Sequence, residues 1–322
     1  MIVKPSRLTV LTCVGLIGVY AGWLGYIIVK DRPIDFYVYY IAAEDLARGG
    51  DPYTISDTEW NSLAAQLNIT NYTSPYRYPP QSAVLLTFFR PLGPRGAMIV
   101  WVIADAAAMI LGAWILGKAL GGGWWLPLSL SSLLIFIPPL ATLLAGQVNG
   151  FIFLCLAIAF AAIKDHRAGR MGISLAIGAA LKVIPVALIF YSFWRRQWKA
   201  GLIGLGALAA LTLICLPIAN SSVLTSYARS AVALGSPSEL TSTPTNQTIT
   251  AVLQRLSPLD LAAATSMGRW LSLLVIVITI GVCWPIGPTD LLMPVEFGLI
   301  VAALQLIPPF TWYHQLVLLL VP

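Results

Sequence analysis

Four long apolar runs, Leu8 to Val29, Ala97 to Gly117, Gly201 to Ala219 and Leu271 to Trp284, decide what this chain can fold into. Most of them approach the roughly 20 residues that a helix needs to cross a bilayer. Hydrophobic residues make up 58% of the 322 positions and charged residues 10%, against about 25% charged in an ordinary soluble domain. A water-surrounded core cannot absorb that surplus. The fold class is therefore an all-α polytopic membrane protein, expected as one transmembrane domain over 1–322.

The net charge of +6 invites a nucleic-acid reading, which its placement excludes. Basic residues sit in short connections: Lys4 and Arg7, Lys118, Lys164 to Arg170, and Arg195 to Lys199. By the positive-inside rule these are cytoplasmic. The first run is longer than a signal peptide's apolar region and has no small-x-small site before Lys30, so it reads as an uncleaved anchor. Cys13, Cys155, Cys215 and Cys283 all lie in apolar segments without paired spacing, and neither a disulfide framework nor a zinc site is expected.

The spans predicted from these runs cover about 8–29, 96–117, 124–145 (kinked at Pro138 and Pro139), 150–163, 200–219, 267–284 and 291–307. A last one begins near 313 and reaches only Pro322, so further helices are expected beyond it. The stretch Met171 to Trp194 lies between two basic connections on the same side and carries Lys182 and Pro185 at its middle. It is predicted to enter and return as two half-length helices, with the broken backbone buried in protein.

Two outward segments remain, about 30–95 and 220–266. The first holds seven of the 13 acidic residues, Asp31, Asp35, Glu44, Asp45, Asp51, Asp57 and Glu59. Its stretch Asp35 to Arg48 places Phe36, Tyr39, Tyr40, Ala43 and Ala47 at helical spacing, predicting an amphipathic helix lying along the interface. The second is rich in Ser, Thr and Pro. Asn68, Asn71, Asn220 and Asn246 match the glycosylation sequon.

Several polar residues stand where chemistry is possible. Asp35, close behind the first run, can act as a general base toward a hydroxyl, or can simply cap a helix. Lys182, an ionisable group in an apolar stretch, is suited to holding an anion, with a structural partner at a helix end as the alternative. His314 can exchange a proton near neutral pH, or serve as an interfacial belt residue beside Trp312 and Tyr313. The amides Gln147, Asn149, Asn246 and Gln247 can donate to and accept from sugar hydroxyls, or cap helix ends. In Tyr76-Arg77-Tyr78 a cation between aromatics suits a lipid phosphate or an interfacial anchor. Asp105, inside a span, reads as structural. No phosphate-binding glycine loop, metal-ligand cluster or nucleophile elbow is present in the sequence, so nucleotide-driven chemistry is not expected.

Taken in order, Asp35-Phe-x-x-Tyr39-x-x-Ala-Ala43, Gly50-Asp-Pro-Tyr53, Tyr76-Arg-Tyr-Pro-Pro80, Gly146-Gln-Val-Asn149, Ala180-Leu-Lys-Val-Ile-Pro185, Asn246-Gln247 and Trp312-Tyr-His314 resemble glycosyltransferase family 87. These are polyprenol-phosphate-mannose-dependent mannosyltransferases of the GT-C type. The motifs span nearly the whole chain, and members of the family usually continue with further helices past the point where this sequence ends.

The resemblance implies transfer of a hexose, usually mannose, from a polyprenyl-phosphate donor to a glycolipid or other surface acceptor on the outer side of the cell membrane. It implies a catalytic base at Asp35 and a second catalytic residue at His314. Lys182 and Arg77 are placed near the donor phosphate by charge, and Tyr39, Tyr78, Gln147, Asn149, Asn246, Gln247 and Tyr313 are expected to bind sugar or acceptor. No metal or other cofactor is called for, because a polyprenyl phosphate leaves as an anion and needs only a cation to receive it and one base for the acceptor. The partners expected are that donor, the acceptor and membrane lipids, with no nucleic acid. The alternatives are a transporter or flippase of lipid-linked sugars and a noncatalytic assembly subunit.

Overall fold

The computed structural model describes residues 7–31, 33–73, 76–233, 243–284, 293–308 and 310–321. The helices in chain order are α1 (Arg7–Lys30), α2 (Ile34–Ala47), α3 (Asp57–Gln66), α4 (Pro80–Thr87), α5 (Gly93–Ala119), α6 (Trp125–Ile135), α7 (Ile137–Ala145) and α8 (Asn149–Lys164). They continue with α9 (Ala168–Leu181), α10 (Val186–Trp194), α11 (Trp198–Cys215), α12 (Ser221–Ala233), α13 (Ile249–Leu256), α14 (Leu261–Val282) and α15 (Met293–Leu306). Among the described residues α1, α5, α11 and α14 are long and apolar enough to cross a membrane, and the bent pair α6 and α7 adds a fifth crossing if counted as one span.

This is an all-α polytopic membrane protein, as the apolar runs require. α1 and α14 present Leu11, Val14, Ile17, Leu274 and Val277 outward, a composition that lipid accepts and water does not. The bundle interior is built where α5 packs on α6 and α8, α8 on α9, and α9 on α11. All four cysteines are free, and Cys155, Cys215 and Cys283 are buried.

Three expectations are corrected here. The kink falls at Phe136, ahead of the two prolines, and bends α6 against α7 by 57°. Pro138 and Pro139 sit in the first turn of α7, where a missing N–H leaves no bond unmade, and Phe136 takes the extended backbone (φ −91°, ψ 123°) that separates the helices.

The second correction concerns α2, which is not an interfacial helix. Every residue from Phe36 to Leu46 is buried, because the face opposite Tyr39, Tyr40 and Ala43 carries Tyr37, Val38, Ile41 and Ala42 and is apolar as well. The helix packs chiefly against α4, with α3, α5 and α7 around it. Third, the segment expected to start the last span is the 3-10 helix Tyr313–Leu320, packed on α7, α8 and α15.

The stretch breaks at Lys182 as expected, but the break is only partly covered: Lys182 and Pro185 are buried, whereas Val183 between them is exposed. α9 ends at Leu181, Lys182 is extended (φ −156°, ψ 133°), and Pro185 caps the start of α10. Gly172 near the start of α9 packs on Ala200 and Gly204 of α11, while Ile189 and Phe193 of α10 come back to Gly204 and Gly201. The chain thus enters along α9 and returns along α10 to the same end of α11. Ser82 of α4 donates to the Leu181 carbonyl (2.7 Å), satisfying one group that the break leaves open.

Candidate active site

The break places Lys182 inside the bundle, and three other connections converge on it. α7 terminates at Gly146 in a left-handed conformation (φ +70°). A Cβ there would lie 2.6 Å from Phe36 Cβ and 2.7 Å from Pro33 Cβ, so glycine is what lets the start of α2 lie against the end of α7. Trp101 of α5 donates to the Gly146 carbonyl (3.0 Å) and fixes the turn. Asp105, also on α5, accepts from the Phe151 N–H at the start of α8 (3.1 Å), a capping role that agrees with its structural reading. Gln147 and Asn149 are thereby held rigidly.

Gln147 is the hub. Its Nε2 donates to Asp35 Oδ2 (2.7 Å) and to the Tyr78 hydroxyl (2.7 Å), while its Oε1 accepts from the Tyr39 hydroxyl (2.9 Å). Lys182 Nζ donates to Asn149 Oδ1 (3.2 Å) and lies 5.8 Å from the centre of the Tyr78 ring. A buried ammonium needs such partners, since an unpaired one costs several kcal/mol. The Tyr39 and Tyr78 rings are 4.4 Å apart at their centres, with Tyr76 behind them.

Asp35, in the first turn of α2, is half-buried. Burial raises its carboxyl above the usual carboxylate range, and the Gln147 hydrogen bond and the Lys182 charge pull part of the way back. Burial also holds the Tyr39 and Tyr78 phenols above their ordinary range, with Asp35 adding to the effect. Both stay protonated donors at neutral pH.

His314 is buried, lies within electrostatic reach of Lys182, and has no hydrogen-bond partner at Nε2. Its backbone carbonyl accepts from Thr142 of α7 (2.7 Å). Asn149 Nδ2 is likewise buried without a partner. Two buried polar atoms with unmet bonds in the neighbourhood of an ammonium describe a place for a ligand rather than a finished core.

Asp35, Tyr39, Tyr78, Gln147, Asn149 and Lys182 are therefore brought together, with His314 beside Lys182. The remaining predicted site residues are placed differently. Asn246 is buried, and its carboxamide oxygen accepts from the Thr248 and Thr311 N–H groups (3.3 and 3.1 Å). Burial also excludes it as a glycosylation acceptor. Gln247 turns its amide to the Pro244 carbonyl (2.9 Å). With Gln247 N–H to Thr311 O and Tyr313 N–H to Thr245 O, 245–247 and 311–313 form a short backbone clasp. The segment before α13 thus meets the His314 region through main chain, not through amides offered to sugar. The Tyr313 and His314 rings lie tilted with their centres 5.9 Å apart, and Arg77 lies over the Phe310 ring, 5.6 Å from its centre.

Sequence reasoning passed over Tyr53, although its motif was visible: its hydroxyl donates to the Tyr78 carbonyl (2.5 Å) and braces the tyrosine cluster from outside. It also passed over Thr142, which a lone Thr in an apolar helix does not announce.

Fold and site together define a polytopic membrane protein in which a half-buried carboxylate, bonded to a buried amide, lies within electrostatic reach of a buried ammonium. The sequence profile of glycosyltransferase family 87 matches residues 76–309, and the chain belongs to that family. It is 27% identical over 156 residues to a polyprenol-phosphate-mannose-dependent alpha-(1-2)-phosphatidylinositol mannoside mannosyltransferase of Mycobacterium tuberculosis, a match covering 44% of this chain and 36% of the relative. The chain thus spans little more than a third of that relative's length. No solved structure matches it.

Proposed function

We propose that this protein transfers a hexose, mannose in the first instance, from a polyprenyl-phosphate donor to a hydroxyl of a surface acceptor at the outer face of the plasma membrane. The observation that carries the proposal is the pairing of a half-buried Asp35 with a buried Lys182 flanked by the unpartnered Asn149 Nδ2 and His314 Nε2. Membership of glycosyltransferase family 87 and the relative's named donor support it.

In this mechanism the acceptor oxygen attacks C1 of the sugar, and its proton passes to Asp35. The bond from C1 to the phosphate oxygen breaks, and the electron pair leaves with the polyprenyl phosphate. Lys182, Asn149 and His314 receive that growing negative charge. Such preorganised donors stabilise the transition state more than the ground state. One displacement inverts the anomeric centre, so a beta-linked donor gives an alpha-mannoside. Gln147, itself bonded to the Tyr39 and Tyr78 hydroxyls, holds Asp35, and the two tyrosines line the sugar's approach, while Arg77 stands at the rim on Phe310. The donor is a lipid, which accounts for a sugar-handling site embedded in a helical bundle.

The test is incubation of the purified protein with radiolabelled polyprenyl-phosphate mannose and a membrane acceptor extract. Transfer is expected from the wild type and not from Asp35→Asn. Equal labelling by the variant removes Asp35 as base; label carried across a vesicle without transfer favours a flippase.

A further inference from the structure

At the far end of α2 from Asp35 lies a second feature that the transfer mechanism leaves unused. A cavity of about 440 Å³ opens between the C-terminal turn of α2, the loop after it and α3, within the roughly 300–1,000 Å³ typical of small-molecule sites. Asp45, Arg48, Asp51, Glu59, Ser62 and Gln66 are among its walls. Most of these groups are spoken for: Glu59 closes a capping box with Ser56, Asp51 accepts from the Tyr53 N–H, and Arg48 bonds Glu44 and Gln66. Asp45 differs, being nine-tenths buried with its Oδ2 unpartnered.

The chain bends to create this wall. Gly50 lies so close to the Asp45 carboxylate that a Cβ would fall 2.2 Å from its Oδ1, so a larger residue there would push that carboxylate aside. An unpaired buried carboxylate is costly unless something supplies it with a donor. Burial and the neighbouring Asp51 and Glu59 push Asp45 up to about 6, which lets it accept or donate near neutral pH.

The walls carry three carboxylates against one guanidinium, which disfavours an anionic ligand. Among the described residues no group of three or more His, Cys, Asp or Glu gathers as a metal site. Carboxylates, an amide and hydroxyls around a cavity of this volume suit a neutral, many-hydroxylated molecule.

We propose that this cavity binds a neutral oligosaccharide, the part of the acceptor remote from the reacting hydroxyl. The acceptor role rests on the proposed glycosyl transfer; the carbohydrate site does not. Asp35 and Asp45 are ten residues apart on one helix, about 15 Å at 1.5 Å per residue, a span that a short oligosaccharide covers. Tyr53, between the wall residues Asp51 and Thr54, bonds the Tyr78 main chain, so the cavity loop and the site share one support. Binding a remote part of the acceptor is a way to position its reacting hydroxyl.

The experiment uses the full chain in nanodiscs, titrated with mannotriose and maltotriose and read by saturation-transfer NMR. Ser62→Trp fills the cavity from an exposed position on α3, and Asp45→Asn keeps the shape while removing the charge. At least one trisaccharide is expected to bind the wild type, at least tenfold more weakly to Ser62→Trp, whose melting temperature should match the wild type. With transfer assayed, Ser62→Trp should raise the KM for a trisaccharide acceptor about tenfold, leaving kcat and the KM for a monosaccharide glycoside unchanged. Equal trisaccharide affinity in wild type and Ser62→Trp, or calcium binding without any sugar binding, overturns the site while leaving transfer intact. Cavity-dependent trisaccharide binding by a protein that transfers nothing supports the site and sinks the proposed reaction instead.

Discussion

The two ends of α2 carry two carboxylates whose fates diverge. Asp35 and Asp45 are both raised above the ordinary range by burial. At Asp35 an amide proton and the nearby ammonium oppose the shift; at Asp45 the neighbours Asp51 and Glu59 add to it, and only Arg48 opposes. Ten residues of one helix thus separate a charge that its surroundings have prepared from one that they have left open. Burial alone does not mark a catalytic acid or base; the donors arranged around it do.

The sharpest way to break this contrast is Asp35→Asn, which keeps the shape and the approach of Gln147 but removes the proposed base. Transfer should fall about 10²- to 10⁴-fold, with folding preserved as judged by melting temperature. In the wild type the base must be ionised, so activity is lost as pH falls through the raised Asp35 value. The acid limb of kcat/KM should therefore lie above the usual carboxylate range. A limb at an ordinary carboxylate value would mean that the burial of Asp35 does not survive in the working protein.

Lys182→Met should cost less, about 10²- to 10³-fold, and should change the profile in a direction that a merely structural lysine would not. Its charge lowers Asp35; without it Asp35 rises further, and the acid limb of the residual activity should move to higher pH. A limb that stays in place would separate the two groups and leave Lys182 as a helix-end anchor. Next in size is Gly146→Ala. A Cβ at positive φ, 2.6 Å from Phe36, should destabilise the protein by about 1–3 kcal/mol and lower activity at least tenfold by tilting α2, both readable from one melting and one rate measurement.

How much of this was legible beforehand depends on what each feature rests on. α1, α5, α11 and α14 could be read because an apolar run of bilayer length has one solution, and Lys182 with Pro185 marked the break because nothing else interrupts Met171 to Trp194. The burial of α2 was hidden: its tyrosines suit an interface as well as a core, and only the packing of α3, α4 and α7 decides between them. Asn246 was misjudged for a related reason. An amide in a polar loop can face sugar or backbone, and the sequence states its type but not its direction. The same holds for Gln147, whose three partners come from two distant segments, 35–39 and 78. Asp45 looked like one acid among seven, since its missing partner is a property of the cavity that α3 closes.

Asp45→Asn gives the smallest effect and the most direct comparison with Asp35, because its signature is in stability. A folded value of about 6 against an ordinary 3.8 means that the folded state holds a proton that the unfolded chain has already released. Stability from this group is present below about pH 4 and is lost as pH rises through 6. Asparagine cannot titrate. The wild type should therefore lose melting temperature relative to Asp45→Asn between pH 4 and 6, by a few degrees, and the gap should then stay flat. The other carboxylates titrate in both proteins, so the difference isolates Asp45. A saturating trisaccharide should narrow the gap at pH 7, since its hydroxyls supply the carboxylate with the donors that the fold withholds. If the gap instead widens with sugar, the carboxylate is not what the sugar meets, and the two ends of α2 are less alike in purpose than their burial implies.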